Sequence, residues 1–315
     1  MPFRQISLPS LGRALSNIMA CPTSGEPDSH DAGLDEFYRL GGNCIHLHGE
    51  GGETHSRRAT GTWLRRHELR PKFFLCTQIC HEGWDAAAER AIGRCTPDAV
   101  AEDIGTDLDL LGTDYVDFVY LANHPTGPVE PVIEALAREV ARGHIRAFGV
   151  RNWSAERIWS ANAHAVRIGA SGVAAVVTTE LALPCSARPL WPEDIPFAQI
   201  EPTVLDLGLP VFAHADGFNQ ATHLFDDEKK AIHPRWVERW NHPANAEIVK
   251  RVRAFADARG IEPTEVNLAW LLNRAFPSVA MIGLPELLAN GGARLESASQ
   301  LILNEAERST LRPPI

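Results

Sequence analysis

No apolar run in this chain approaches the ~20 residues that a membrane span needs. The opening stretch "MPFRQISLPSLGR" lacks the apolar segment of a secretory signal. Positive charge is not in excess: 30 Lys and Arg stand against 40 Asp and Glu, a net charge of −10. That balance argues against nucleic acid or an anionic membrane as the main partner. Cysteines are few for a chain of 315 residues and follow no disulfide-framework spacing. Cys21, Cys44, Cys76, Cys80, Cys95 and Cys185 are therefore expected as reduced thiols. Cys76 and Cys80 have the spacing of a metal pair, but with no second pair nearby they read as ordinary buried or loop thiols. These absences leave a cytoplasmic globular protein as the expectation.

What is present is alternation. "NCIHLH", "KFFLCTQI", "YVDFVYLA", "HIRAFGV", "GVAAVVTT", "LPVFAH" and "SVAMIG" each have the composition of a strand buried on both faces. Amphipathic stretches lie between them. "TPDAVAEDIGTDLDLLG" carries Thr96 as a helix N-cap, Pro97 at the first helical position and a glycine at the end. In "SAERIWSANAHAVRIG" Ser154 is the N-cap. A weaker strand near "LSNIMA" brings the count to eight. Strand and helix alternating to that count favour a closed parallel barrel over an open sheet. The expected fold is α/β, a single (β/α)8 TIM barrel over residues 1–315, with long loops after its sixth and seventh strands.

Such a barrel keeps its chemistry at the C-terminal ends of the strands. His46 and His48, two apart on one strand, point to the same side, although glycines at 49, 51 and 52 turn the chain straight afterwards. Gln78, Ala122, His124, Arg151, Asn152, Thr178, Glu180, His214 and Asp216 fall at the other strand ends. Trp84, Trp153, Trp191, Phe218 and Trp236 lie on the connections and are expected to edge the mouth.

Three segments, "TPDAVAEDIGTDLDLLGTDYVDFVYL", "PVIEALAREVARGHIRAFGVRNWS" and "EVNLAWLLNRAFPSVAMIG", resemble the aldo-keto reductases in order and spacing. The resemblance implies a reductase working with an Asp, a Tyr, a Lys and a His beside a nicotinamide cofactor. In that family the Tyr protonates the carbonyl oxygen. Aligned without a gap, "GGNCIHLHGEGG" puts His46 at the Asp and Gly51 at the Tyr. Gln78 falls at the Lys and Ala122 at the His. On the cofactor side Thr178 and Leu181 replace the family's Gln and Tyr, and Ser297 and Ala298 its Glu and Asn. Asn152 and Arg294 remain as nucleotide contacts. No cofactor is therefore expected, with NADP(H) as the runner-up.

The residues at those positions suggest replacement chemistry. The favoured reading is a cofactor-independent isomerase, epimerase, lyase or cyclase using His46, His214, Glu180 and Asp216 as acid and base on a small polar carbonyl or sugar-like compound. His48, Gln78, His124, Asn152, Trp84 and Trp191 would then contact the substrate. Three alternatives stay open. One is an NADP-dependent oxidoreductase with an atypical acid. Another is a metal enzyme using His46, His48 and His214, completed by Asp216 or Glu180. The last is a binding protein without catalysis. Gly49 is expected to turn the strand at His48, leaving His46 as the inward histidine and the site metal-free.

Overall fold

The computed structural model describes residues 2–22, 27–48, 54–85, 90–122, 127–187, 195–215, 224, 234–284 and 291–312. The strands, in chain order, are β1 (Gln5–Leu8), β2 (Arg13–Ser16), β3 (Ile18–Cys21), β4 (Cys44–Leu47), β5 (Phe74–Ile79) and β6 (Gly83–Asp85). They continue with β7 (Arg90–Ile92), β8 (Val116–Leu121), β9 (Ile145–Arg151), β10 (Val176–Thr178), β11 (Val211–His214) and β12 (Ser278–Gly283). A closed parallel barrel forms in the order β10, β11, β12, β3, β4, β5, β8, β9. Helices flank it, so the (β/α)8 expectation holds.

Both faces of the barrel sheet are buried, which is why its strands are continuous apolar runs rather than alternating ones. Ile45, Leu47, Leu75, Val119, Leu121 and Ile282 belong to the outer core beneath the helices. Cys44, Phe74, Phe118, Phe212 and Met281 fill the interior. Phe118 and Phe212 meet edge to face with ring centroids 5.3 Å apart, and both contact Phe74 at 6.2 Å. This aromatic floor leaves no room for a side chain at Gly149. A Cβ there would lie 2.4 Å from Phe118 Cζ and 2.5 Å from the Ala175 carbonyl oxygen.

Two antiparallel additions were not expected from the sequence: the β1–β2 hairpin and the β6–β7 ribbon. Leu8 and Leu15 of the hairpin join the interior cluster. Arg13, on the same hairpin, pairs with Asp117 at 3.1 Å near the start of β8. The hairpin thus closes the N-terminal end of the barrel and leaves the opposite end for chemistry. "LSNIMA", expected as one weak strand, is divided between β2 and β3 at Asn17. The Asn17 amide is drawn to Ser299, donating to its carbonyl at 3.0 Å and accepting from its hydroxyl at 2.7 Å.

The helix ends follow local chemistry. Thr96 Oγ1 accepts from the Ala99 amide at 3.3 Å, and Gly112, at φ 61°, ends the helix Pro97–Leu111. Ser154 Oγ accepts from the Arg157 amide at 3.3 Å. All six cysteines are free thiols. Cys76 and Cys80 occupy different layers, Cys76 in the interior and Cys80 in the outer core. Among the described residues no helix is long and apolar enough to cross a membrane.

Candidate active site at the barrel mouth

Period-two alternation decides which residues reach the interior above the aromatic floor. On β4 they are Cys44 and then His46, on β8 Phe118 and then Tyr120, and on β11 Phe212 and then His214. His46 is fully enclosed, and Tyr120, Gln78 and His214 are buried with it. The Tyr120 hydroxyl donates to Gln78 Oε1 at 2.9 Å. With its proton committed there, Tyr120 Oη accepts at 2.9 Å from His46 Nε2–H. This fixes the His46 tautomer and leaves a lone pair on Nδ1, which faces Cys21 Sγ at 3.5 Å.

β4 ends at Leu47, yet the His48 ring lies beside the other two histidines, contrary to the expectation that His46 alone points inward. The His48 ring stands 4.5 Å from that of His46 and 5.5 Å from that of His214. His46 and His214 are 5.3 Å apart. Three imidazoles therefore stand together at this end of the barrel. Burial, followed by the positive fields of His48, His214 and Arg151, holds His46 well below the usual imidazole range. Burial, then His48 and Arg151, does the same to His214. Both rings are neutral near pH 7 and behave as hydrogen-bonding groups or ligands rather than as charges.

Polar atoms without partners cluster at the same end of the barrel. His214 Nε2, Arg151 Nε and Asn152 Nδ2 are buried and make no hydrogen bond to the described protein. Asn152 sits at φ 60°, a left-handed conformation that Asn tolerates better than most residues. Buried polar atoms left open in this way are what a polar ligand satisfies.

Glu180 is placed differently from expectation. It was expected to act with His46 and His214 as acid or base, but its carboxylate is taken by Arg239 at 2.5 Å and by the Ser186 hydroxyl at 3.1 Å. Arg239 also donates to the Thr179 carbonyl at 2.8 Å. The guanidinium comes from the helix Pro234–Arg239, and its burial requires a counter-charge, which Glu180 provides. Trp153, expected at the rim, is buried in the outer core. Arg294 is half exposed, with its guanidinium 3.7 Å from Glu262. Asp216, His124, Trp191 and Gly51 lie outside the described residues, as does the side chain of Trp84.

The sequence reading missed Cys21 and Tyr120. Alternation along "VDFVYLA" already placed Ala122 inward, and Tyr120 is two residues before it. The inward position of Cys21 follows from Met19 by the same rule. Its nearness to His46 arises because β3 and β4 are neighbours in the closed sheet.

The sequence profile of the aldo/keto reductase family matches residues 26–288. The chain belongs to the aldo/keto reductase family. It is 28% identical over 253 residues to aldo-keto reductase str7 of Strobilurus tenacellus, covering 78% of this chain and 68% of that protein. To the aldo-keto reductase yakc [NADP(+)] of Schizosaccharomyces pombe it is 26% identical over 218 residues, covering 67% of this chain and 61% of that protein. The structure superposes on the glycerol dehydrogenase of Gluconobacter oxydans with a TM-score of 0.72 at 18% identity, over 98% of this chain and 93% of that one. This last likeness concerns the fold.

Proposed function

We propose that this family member is an NADP(H)-dependent oxidoreductase acting on a small polar carbonyl compound or the corresponding alcohol. The mouth histidines would do the work that the family assigns to a tyrosine. The observation that carries the reading is the Asn152 side chain. Its buried Nδ2 has no partner among the described residues, and it stands at the strand end where the family resemblance puts a carboxamide-binding Asn. The name of the yeast relative, which includes NADP(+), favours this over the cofactor-free reading of the sequence.

The fit to the cofactor is good at Asn152 and poor at β10. Thr178 is buried and its hydroxyl accepts from the Glu180 amide at 3.0 Å, while Leu181 is packed in the outer core. Residues 216–223 and 285–290 fall outside the described residues. When bound, the nicotinamide supplies or accepts the hydride. The chain's own residues receive the substrate oxygen. A neutral imidazole in a dry pocket donates a hydrogen bond to a carbonyl without the solvation penalty of a buried cation. His214, whose Nε2 has no partner among the described residues, is placed for that task, and His48 lies beside it. Tyr120 and Gln78 hold His46 in one orientation.

Thr178 and Leu181 favour a second reading: an acid–base isomerase or lyase in the same pocket, without a cofactor. One experiment separates the two. NADPH is titrated by fluorescence, and cofactor oxidation or reduction is followed with a panel of small aldehydes, hydroxyketones and polyols. Saturable binding with turnover that falls in Asn152→Ala supports the oxidoreductase. Absence of saturable binding overturns it in favour of the second reading.

A further inference from the structure

Cys21, His46 and His48 each bring one ligand atom into a group whose members all lie within 4.8 Å of one another. No second group of His, Cys, Asp or Glu side chains comes together in this way among the described residues. In a tetrahedral zinc shell, ligand atoms stand roughly 3.3–3.8 Å apart, given bonds of about 2.0–2.3 Å. The 3.5 Å between Cys21 Sγ and His46 Nδ1 already has that value.

The second layer is also in place. A metal-bound imidazole ordinarily donates its distal N–H to a fixed acceptor, which sets the tautomer and holds the ring. His46 does this, because Tyr120 has given its own proton to Gln78 and can only accept from Nε2–H. His214 offers an independent indication. It is buried, its Nε2 has no partner among the described residues, and its ring lies 5.3 and 5.5 Å from the other two.

We propose that the barrel mouth binds a zinc-class divalent ion through Cys21, His46 and His48, with the fourth position open beside His214. A thiolate with two imidazoles selects a borderline-soft ion over magnesium or calcium, which prefer oxygen shells. Binding replaces the Cys21 thiol proton, which is released to solvent, and leaves the imidazoles as neutral ligands. The open position takes the substrate oxygen, which the ion polarises as a Lewis acid while His214 hydrogen-bonds it. This deepens the oxidoreductase reading by naming the group that replaces the phenol, and rests on that reading only for its catalytic role.

The test uses untagged full-length protein stripped with a chelator and titrated with cobalt(II), then zinc. One cobalt per chain is expected, with a near-ultraviolet thiolate-to-cobalt charge-transfer band and the strong visible bands of four-coordinate cobalt, all displaced by zinc. Cys21→Ser should abolish the charge-transfer band, while His144→Ala, far from the mouth, should leave it unchanged. Tyr120→Phe should weaken zinc binding roughly 10–100-fold. Zinc should also raise the melting temperature of the wild-type chain, a readout that needs no variant. Failure to bind cobalt stoichiometrically, or a charge-transfer band that survives in Cys21→Ser, overturns the proposal. NADPH turnover that is indifferent to the chelator overturns the metal's catalytic role and leaves the oxidoreductase. Stoichiometric metal without NADPH binding does the reverse.

Discussion

The Tyr120 hydroxyl lies 2.9 Å from His46 Nε2, although 74 residues separate the two in the chain. Their rings are near parallel, with centroids 5.5 Å apart. Because the same hydroxyl donates to Gln78, a single proton on Tyr120 determines which nitrogen of His46 carries the lone pair. The order of donors runs from His46 through Tyr120 to Gln78, and it leaves the basic nitrogen of His46 pointing at Cys21.

Tyr120→Phe tests this order. It removes the acceptor for His46 Nε2–H and the donor for Gln78 Oε1 in a fully buried site. A buried polar group left unpaired costs about 1–3 kcal/mol. Urea unfolding should show a loss in that range, with a fall in the denaturation midpoint and an unchanged slope. A loss below about 0.5 kcal/mol would mean that the chain of hydrogen bonds does not hold the ring.

Arg57 and Asp107 form a buried ion pair at 2.8 Å between the helices Thr54–Arg66 and Pro97–Leu111. Burial outweighs the guanidinium and raises the Asp107 carboxyl from 3.8 to about 6. Between those values the unfolded chain has lost the proton that the folded chain keeps. Stability from this group is therefore fully present below the unfolded pKa and falls as pH rises toward about 6, by on the order of 3 kcal/mol. Unfolding free energies measured across that window should decline less steeply in Asp107→Asn. Equal slopes in the two proteins would contradict the shift.

Arg239 and Glu180 predict a structural phenotype where the sequence suggested a catalytic one. Arg239→Met leaves the Glu180 carboxylate without its buried counter-charge. Breaking one side of such a pair costs about 3–5 kcal/mol, which thermal melts will register as a large drop. Glu180→Gln keeps the hydrogen-bonding shape and should lower stability by less. Should Glu180→Gln abolish turnover with its melting temperature unchanged, Glu180 would be a catalytic group after all.

Gly149→Ala tests the barrel floor. Its methyl would press on the Phe118 ring and on the Ala175 carbonyl, and a backbone oxygen cannot rotate away. Overpacking of this kind costs about 1–3 kcal/mol, and more where backbone must shift. A melting temperature within the error of wild type would show that β9 and β10 can separate at this point.

The sequence by itself determined the barrel. Apolar runs long enough for strands, helices capped by Thr96 and Ser154, and repeated alternation permit few other folds. It also determined which side of each strand His46, Gln78 and His214 face, because strand periodicity is a local property of the backbone. Which side chains meet is not local. Cys21 reaches His46 because closure makes β3 the neighbour of β4, and Tyr120 reaches His46 across the interior. Glu180 is drawn from the histidines because the buried guanidinium of Arg239 arrives from a helix 59 residues later in the chain. The His48 ring stands 4.5 Å from that of His46 although β4 ends at Leu47, where the following glycines suggested a bend away. Periodicity gives each residue a direction, whereas a polar group's partner depends on which strand ends converge, and only the closed barrel decides that.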